Sequence, residues 1–331
     1  MKLLLFLLVT AAYSLVIPTP SRRSLLCGGF GLALEGSFGL PPVAAATAVA
    51  PVLVLGANGG TGKACVKALL ARSIPCVAAT RTGELSEELK VDLLAAFPPS
   101  SKSNGKGGYT GFLQTAAVDV TSSASLRSAI SRESCSGGVI FAASASTKGG
   151  DAKAVDRDGV VAAAEACLAA DIGRYVVVSS GTVTRPDSAV YKLLEFAGKG
   201  IMSAKIAGED KVRSLYADPA VVTKGLGYTI VRPGGLTNEP PMGAAFLELN
   251  QGDDKSGRLS REDVASLCVE SLRSPDAFDA TFECYNADTA KPVESVGLSN
   301  IMKSRTATTY VSGKEHRGNE WQALLTGLAR D

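Results

Sequence analysis

The residues of this chain best suited to chemistry lie in a glycine-rich turn that follows a short apolar run. The run Val52–Leu55 ends at Gly56, and Gly59 and Gly62 follow at intervals of three residues. The first glycine permits a tight strand-to-helix turn, the second lets the backbone approach a pyrophosphate, and the third lets the helix pack close to the strand. Because the N-terminus of that helix favours an anion, the spacing predicts a dinucleotide phosphate site. The expected contacts are Gly56, Asn58, Gly59, Gly60, Thr61 and Gly62.

Two residues that follow later apolar runs bear on which dinucleotide would fit. Arg81 follows Cys76–Thr80, at the place where the adenosine ribose would lie. A carboxylate there would bind the free 2′-hydroxyl of NAD, whereas an arginine matches the 2′-phosphate of NADP in charge and bidentate geometry. NADP is therefore favoured over NAD, with a solvated surface arginine as the alternative. Asp119, followed by Val120, suits an adenine contact, and its alternative is a helix N-cap.

Apolar segments of strand length alternate with helix-like segments along most of the chain. The predicted strands cover 52–55, 76–80, part of 112–120, 138–143, 174–179, 227–233 and 282–286. The predicted helices cover 63–72, 84–97, 122–132, 152–170, 191–216 with a break near Gly198 and Gly200, and 261–273. This alternation predicts an α/β fold with a doubly wound parallel sheet. Ala142, Ala143 and Ser144, at the end of the fourth strand, would line the nicotinamide-side ribose.

The first 50 residues differ from the rest and are predicted to be a targeting leader. Lys2 precedes an apolar run, 3–17, that ends in a Pro-Thr-Pro segment, a pattern typical of a secretory signal peptide. Arg22 and Arg23 then precede a second apolar stretch and a small-residue tract, which resembles a twin-arginine export signal or the basic part of a transit peptide. Two stacked signals favour a plastid inside the secretory route. Secretion is the alternative, and stroma versus thylakoid lumen stays open.

The remaining chain is predicted to form one nucleotide-binding domain at 51–290, whose C-terminal part supplies the substrate side, with a C-terminal extension at 291–331. The chain carries a formal net charge of +2, and the leader alone holds Lys2, Arg22, Arg23 and Glu35, so the rest is about neutral. This balance argues against a nucleic-acid or anionic-membrane partner.

The single histidine excludes histidine-dependent metal sites and Ser/His/Asp triads, and no metal site is expected. The 7 cysteines, without a CxxC pair, favour core thiols over disulfides.

Several motifs, in this order and spacing, resemble the atypical short-chain dehydrogenases/reductases, specifically the NmrA-like, NAD(P)H-binding group that includes plastid Rossmann proteins. The resemblance covers about residues 51–290. Its pieces are the glycine turn 56–62, Val155-Asp156-Arg157-Asp158-Gly159, Val177-Val178-Ser179-Ser180, Lys205 with Gly208-Glu209, 229–236 and Ser260-Arg261-Glu262-Asp263-Val264-Ala265. The resemblance implies a Rossmann fold. It also implies that Ser179 or Ser180 lies near the nicotinamide ribose, that Lys205 holds the ribose hydroxyls, and that Pro233 and Gly234 pass beside the nicotinamide.

One departure from that family bears directly on catalysis. Active relatives use a tyrosine four residues before the lysine as the acid/base, and here that position is Ile201. Two functions therefore remain open. The first is an NADPH-dependent oxidoreductase acting on a small carbonyl or quinone, with Lys205 as the candidate proton donor. The second is a non-catalytic NADPH sensor or assembly factor for a plastid membrane complex. Epimerase or lyase chemistry is a third, weaker possibility.

Overall fold

In the computed structural model of this chain, the described residues are 49–99, 108–145, 150–296 and 310–331. Residues 1–48 of the predicted leader therefore lie outside the described residues. The strands are β1 (Val52–Leu55), β2 (Cys76–Thr80), β3 (Leu113–Ala117), β4 (Gly138–Phe141), β5 (Arg174–Val178), β6 (Gly227–Pro233), β7 (Gly235–Thr237), β8 (Leu247–Asn250), β9 (Lys255–Ser256), β10 (Arg258–Ser260), β11 (Ala280–Asn286), β12 (Lys291–Pro292) and β13 (Glu315–His316).

The helices complete the alternation that the sequence predicts. They are α1 (Gly60–Ala71), α2 (Glu87–Ala96), α3 (Ser123–Ala129), α4 (Arg132–Cys135), α5 (Val160–Ala169), α6 (Ala189–Ala197), α7 (Ile201–Tyr216), α8 (Pro219–Thr223), α9 (Arg261–Ser271) and α10 (Trp321–Leu325). A π-helical segment, Lys153–Gly159, leads directly into α5, and short 3-10 turns cover Ala244–Phe246, Pro275–Ala277, Ala287–Thr289 and Val293–Ser295. None of the helices within the described ranges is long and apolar enough to cross a bilayer.

The strands assemble mainly into one nine-stranded sheet. Its order is β13-β8-β11-β6-β5-β4-β1-β2-β3. From β11 to β3 every pair is parallel, and only β8 and β13 at one edge are antiparallel. Two small sheets, β7 with β10 and β9 with β12, lie beyond the main sheet. The predicted α/β fold with a doubly wound parallel sheet is therefore confirmed, with an antiparallel edge that the sequence pattern does not indicate.

Both faces of the sheet are covered, which explains why its central strands are apolar throughout. In β1 all four residues are buried, and the side chains alternate between two cores. Val52 and Val54 join the core that includes α1 and α9, whereas Leu53 and Leu55 join the core that includes α5 and α7. Strands of a parallel sheet are buried on both faces, so a continuous apolar run rather than an alternating one is the expected signal.

Serine side chains cap five of the ten α-helices of the described residues, whereas α1 has no side-chain cap. Ser86, Ser122, Ser188 and Ser260 each accept a hydrogen bond from the backbone amide three residues later. The capping residue of α1 is Gly59, which makes no side-chain cap. The first amides of α1 therefore remain available to a ligand.

The structure also bears out two smaller predictions. The predicted interruption near residue 200 is real, because Gly200 adopts φ 94° between α6 and α7. The six cysteines of the described residues are all free and buried, as expected for core thiols. Burial raises the pKa of thiols such as that of Cys167, which keeps them protonated and unreactive.

The contact between α1 and β1 yields a stability prediction. A Cβ atom on Gly62 would lie 2.1 Å from the backbone oxygen of Gly56, so Gly62→Ala must push the helix off the strand. We expect a loss of about 2–3 kcal/mol in the free energy of unfolding, measured by denaturant titration. The matched control is Gly173→Ala, where a Cβ meets nothing within 4 Å and little change is expected. Equal stability losses in the two variants would contradict this packing argument.

Candidate functional site

The glycine turn brings the backbone of β1, α1 and the segment after β4 into close contact. Gly56 adopts φ +84°, and a Cβ there would lie 2.7 Å from the Cα of Ala143. Glycine is the residue that tolerates both the left-handed conformation and this approach. Together with the contact at Gly62, this places the uncapped N-terminus of α1 at the carboxyl ends of β1 and β4, where nucleotides bind in open α/β sheets.

A crevice of about 930 Å³ opens in front of this N-terminus. We call it the dinucleotide crevice. Of the residues expected from the sequence, those that line it are Asn58, Gly59, Gly60, Thr61, Ala142, Ala143, Ser144, Ser179 and Lys205. Gly56 and Gly62 do not line it but set the turn that shapes it. The structure thus brings most of the predicted contacts together at one edge of the sheet.

The side chain of Asn58 bonds to the backbone of the segment after β2. Its side-chain amide donates to the backbone oxygen of Glu84 at 3.0 Å, and its side-chain oxygen accepts from the amide of Ser86 at 2.9 Å. The hydroxyl of Thr80 donates to the same Glu84 oxygen at 3.0 Å. These bonds tie the segment after β2, which includes Arg81, to the glycine turn.

Arg81, Asp119 and Val120 do not line the dinucleotide crevice. Arg81 and Asp119 are exposed and follow β2 and β3, at the carboxyl edge of the sheet. Asp119 accepts hydrogen bonds from the amide and hydroxyl of Thr121, which lower the pKa of its carboxyl, and the nearby Arg81 charge lowers it further. The Arg81 charge is therefore close enough to act on the Asp119 carboxyl.

Lys205 forms an ion pair with a buried carboxylate. Its ammonium lies 2.8 Å from Oδ1 of Asp156, and the side chains of Lys205 and Asp156 are 11% and 1% exposed. Asp156 sits in the π-helical segment, and its Oδ2 accepts from the amide of Ala145 at 2.9 Å. Gly208 lets α7 approach this segment, because a Cβ there would lie 2.8 Å from the Asp156 backbone oxygen. The ion pair holds the ammonium group at the wall of the crevice.

The hydroxyl of Ser179 is engaged below the crevice. It donates to Oε1 of Glu209, which lies on α7 and is 1% exposed. Arg232 pairs with Glu209 at 2.6 Å and with Glu283 at 3.1 Å, so three buried charges form one network. Burial, reinforced by the charge of Asp253, raises the pKa of Glu283 to about 7. This network fixes the ends of β5 and β6 beneath the site.

Ile201 does not supply the proton that a tyrosine would. It begins α7, one turn before Lys205, and packs against the apolar side chains of Ala145, Ala152 and Ala204. Within the described residues, no tyrosine lines the dinucleotide crevice, and no group of His, Cys, Asp and Glu is placed to hold a metal ion. Lys205, Ser180 and Arg261 are among the polar side chains of the described residues that line the crevice.

A second cavity, of about 480 Å³, adjoins the first. We call it the side pocket. Pro233 and Gly234 line this side pocket rather than the dinucleotide crevice. Gly234 is packed tightly, since a Cβ there would lie 2.3 Å from the backbone oxygen of Gly257. Ser180, Leu236 and Arg261 line both cavities and mark where they join.

Sequence reasoning assigned no role to Arg261, although it lies in one of the family motifs. It is the first residue of α9, and its Nε would be 2.7 Å from a Cβ on Gly60, directly beside the N-terminus of α1. Its guanidinium donates to Oδ1 of Asn238 at 2.6 Å. A cation that lies between the positive ends of two helices is stabilised when an anion binds beside it. The local sequence does not reveal this arrangement, because it arises from the packing of α9 on α1.

Comparisons with known proteins agree with this geometry. Residues 109–275 match the sequence profile of the NAD(P)H-binding family. Over 225 residues the chain is 31% identical to an uncharacterized chloroplastic protein of Arabidopsis thaliana, which covers 67% of this chain and 71% of that protein. It is 32% identical over 135 residues to an uncharacterized sugar epimerase of Bacillus subtilis, or 41% of this chain and 55% of that protein.

The fold is similar to that of a solved oxidoreductase from Lactococcus lactis, with a TM-score of 0.53 at 19% identity over 77% of this chain and all of that one. The family profile starts after the glycine turn, so the match and the turn geometry are independent observations. The Arabidopsis relative extends the similarity to two thirds of the chain. The chain therefore belongs to the NAD(P)H-binding family and has a Rossmann fold.

Proposed function

We propose that this protein binds NADP(H) in the dinucleotide crevice and uses it to reduce a small carbonyl or quinone compound. The observation that carries the proposal is the uncapped N-terminus of α1, which faces a crevice that also contains the ion-paired Lys205. When bound, the cofactor supplies a hydride. The chain contributes the turn that receives the pyrophosphate, the ammonium that holds the ribose, and Arg261 beside the phosphate position.

The preference for NADP over NAD rests on Arg81. Its position after β2 corresponds to the adenosine ribose, and the Asn58 bonds hold its segment against the glycine turn. An exposed guanidinium there matches a 2′-phosphate. The nearby Asp119 uses one carboxylate oxygen for Thr121, which leaves the other for the adenine end.

A non-catalytic NADPH sensor or assembly factor is the second candidate, and two observations favour it. Ile201 stands where the family has its proton donor, and the hydroxyl of Ser179 is already engaged by Glu209. We retain the reductase as the first candidate because Lys205 and Ser180 both line the dinucleotide crevice. In that case Lys205 delivers the proton.

We also propose that the protein works in a plastid. The stacked targeting signals of residues 1–50 support this location, and so does the chloroplastic Arabidopsis relative. Secretion is the alternative destination, and a plastid membrane complex is the partner expected for the sensor function.

Cofactor binding gives the first test of this proposal. Titration of the full chain with NADPH, followed by fluorescence, should saturate and be tighter than titration with NADH. Arg81→Asp should weaken the binding of NADPH about tenfold and leave the binding of NADH nearly unchanged, because it removes a charge-assisted bond to the 2′-phosphate. Arg261→Gln should weaken the binding of both dinucleotides, because both contain the pyrophosphate.

The matched control for these variants is Arg273→Asp, which changes an exposed arginine after the far end of α9. It should bind both dinucleotides like the unaltered chain. An equal loss of NADPH and NADH affinity in Arg81→Asp would refute the role of Arg81. Failure of the unaltered chain to bind either dinucleotide would overturn the proposed function.

Turnover separates the reductase from the sensor. The full chain, NADPH and a panel of small carbonyls and quinones should give a protein-dependent loss of NADPH absorbance with at least one compound. Lys205→Met should reduce that rate about a hundredfold, because it removes the proton donor. Saturable NADPH binding without turnover across the panel would instead support the sensor.

The ion pair of Lys205 predicts a specific pattern of stabilities. Lys205→Met leaves Asp156 buried without a counter-charge and should cost about 3 kcal/mol in the free energy of unfolding. The double variant Lys205→Met/Asp156→Asn should recover most of that loss, since the uncompensated charge is gone. Lys211→Met, on the exposed side of the same helix, is the control and should change little. A double variant no more stable than the single one would contradict this reading.

A further inference from the structure

We infer that the side pocket takes an apolar substrate that carries a carboxylate group. This inference rests on the proposed function, because it makes the side pocket the place where the substrate meets the dinucleotide. Ser180, Leu236 and Arg261 line both cavities, so a molecule in the side pocket lies next to the dinucleotide crevice.

Much of the wall of the side pocket is apolar. Val190, Leu193 and Leu194 come from α6, and Pro233, Leu236 and Val296 come from other segments. Leu193 and Leu194 remain 38% and 37% exposed, so apolar surface faces the cavity without being covered by the chain itself. A cavity of about 480 Å³ lined in this way suits the body of a medium-sized apolar molecule.

The charged side chains that line the side pocket within the described residues are all positive. They are Arg258, Arg261 and Lys291. None of the three forms an ion pair with a carboxylate of the described residues. The backbone amide of Arg258 is held by the hydroxyl of Thr289 at 2.8 Å, which fixes the strand that presents the guanidinium. Half-buried cations beside apolar surface favour an anionic partner, and the planar guanidinium matches a carboxylate in bidentate geometry.

Among the described residues, three hydroxyl side chains line the side pocket, those of Ser180, Ser256 and Thr289, and two of the three are already bonded to the backbone. The Thr289 hydroxyl is bonded to the backbone of Arg258 and Asn286, and the Ser180 hydroxyl donates to the backbone oxygen of Gly181. A sugar needs a hydrogen-bond partner for each buried hydroxyl, whereas an apolar carboxylate needs partners at one end only. The lining therefore favours a molecule with one charged end and an apolar body.

The test uses anthracene-9-carboxylate and its methyl ester, a pair that differs in charge but has the same apolar body. Equilibrium dialysis with the full chain, saturated with NADP⁺, should show the acid binding about tenfold or more tightly than the ester. Arg258→Gln/Lys291→Gln should remove this preference. Lys211→Gln, an exposed lysine remote from the side pocket, should keep it.

NADP⁺ binding is measured separately for every variant, so a failed proposal on the cofactor is distinguishable from a failed proposal on the substrate. Retained NADP⁺ affinity in Arg258→Gln/Lys291→Gln would show that the variant is folded. Raising the salt concentration should weaken the binding of the acid and leave the binding of the ester unchanged. Three results would each overturn the inference. They are equal binding of acid and ester, a preference for the acid that survives in the double variant, and tighter binding of a sugar nucleotide such as UDP-glucose.

Discussion

The close approach of α1 to β1 is the constraint on which the site depends. With the Gly56 oxygen 2.1 Å from a Cβ on Gly62, the two elements can meet only where side chains are absent. This contact aims the uncapped amides of α1 at the carboxyl edge of the sheet. It also lets α9 pack alongside α1, which brings Arg261 next to Gly60. One backbone contact thereby shapes the dinucleotide crevice and places a cation at its border.

Beneath the site, charges are buried and compensated within the chain. Glu209, Arg232 and Glu283 form one network under Ser179, and Asp156 is paired with Lys205. Removing charges from water is costly, so such groups persist only where each has a partner with good geometry. The network holds the ends of β5 and β6 in place, and it also occupies the Ser179 hydroxyl. The same network that stabilises the site therefore leaves the Ser179 hydroxyl hydrogen-bonded to Glu209.

Much of the fold could be predicted because its central strands are buried on both faces. β2 and β6 begin and end at the predicted residues, since an apolar run bounded by turn residues has few other structures open to it. The edge of the sheet could not be predicted in this way. β8 contains Glu248 and Asn250, and both are buried. Lys255 and Arg317, which both lie outside this strand, pair with Glu248 and compensate its buried charge.

The sequence by itself determined the glycine spacing, the strand and helix order, and the absence of a tyrosine at position 201, because each of these is local. The dinucleotide phosphate site follows from them, since a turn and a helix end need only neighbouring residues. Only the tertiary structure decided that Asn58 holds the loop after β2, that Arg261 stands beside Gly60, and that three cations share a pocket with apolar side chains. These are contacts between elements far apart in the chain, and they arise from packing, which a local pattern does not encode.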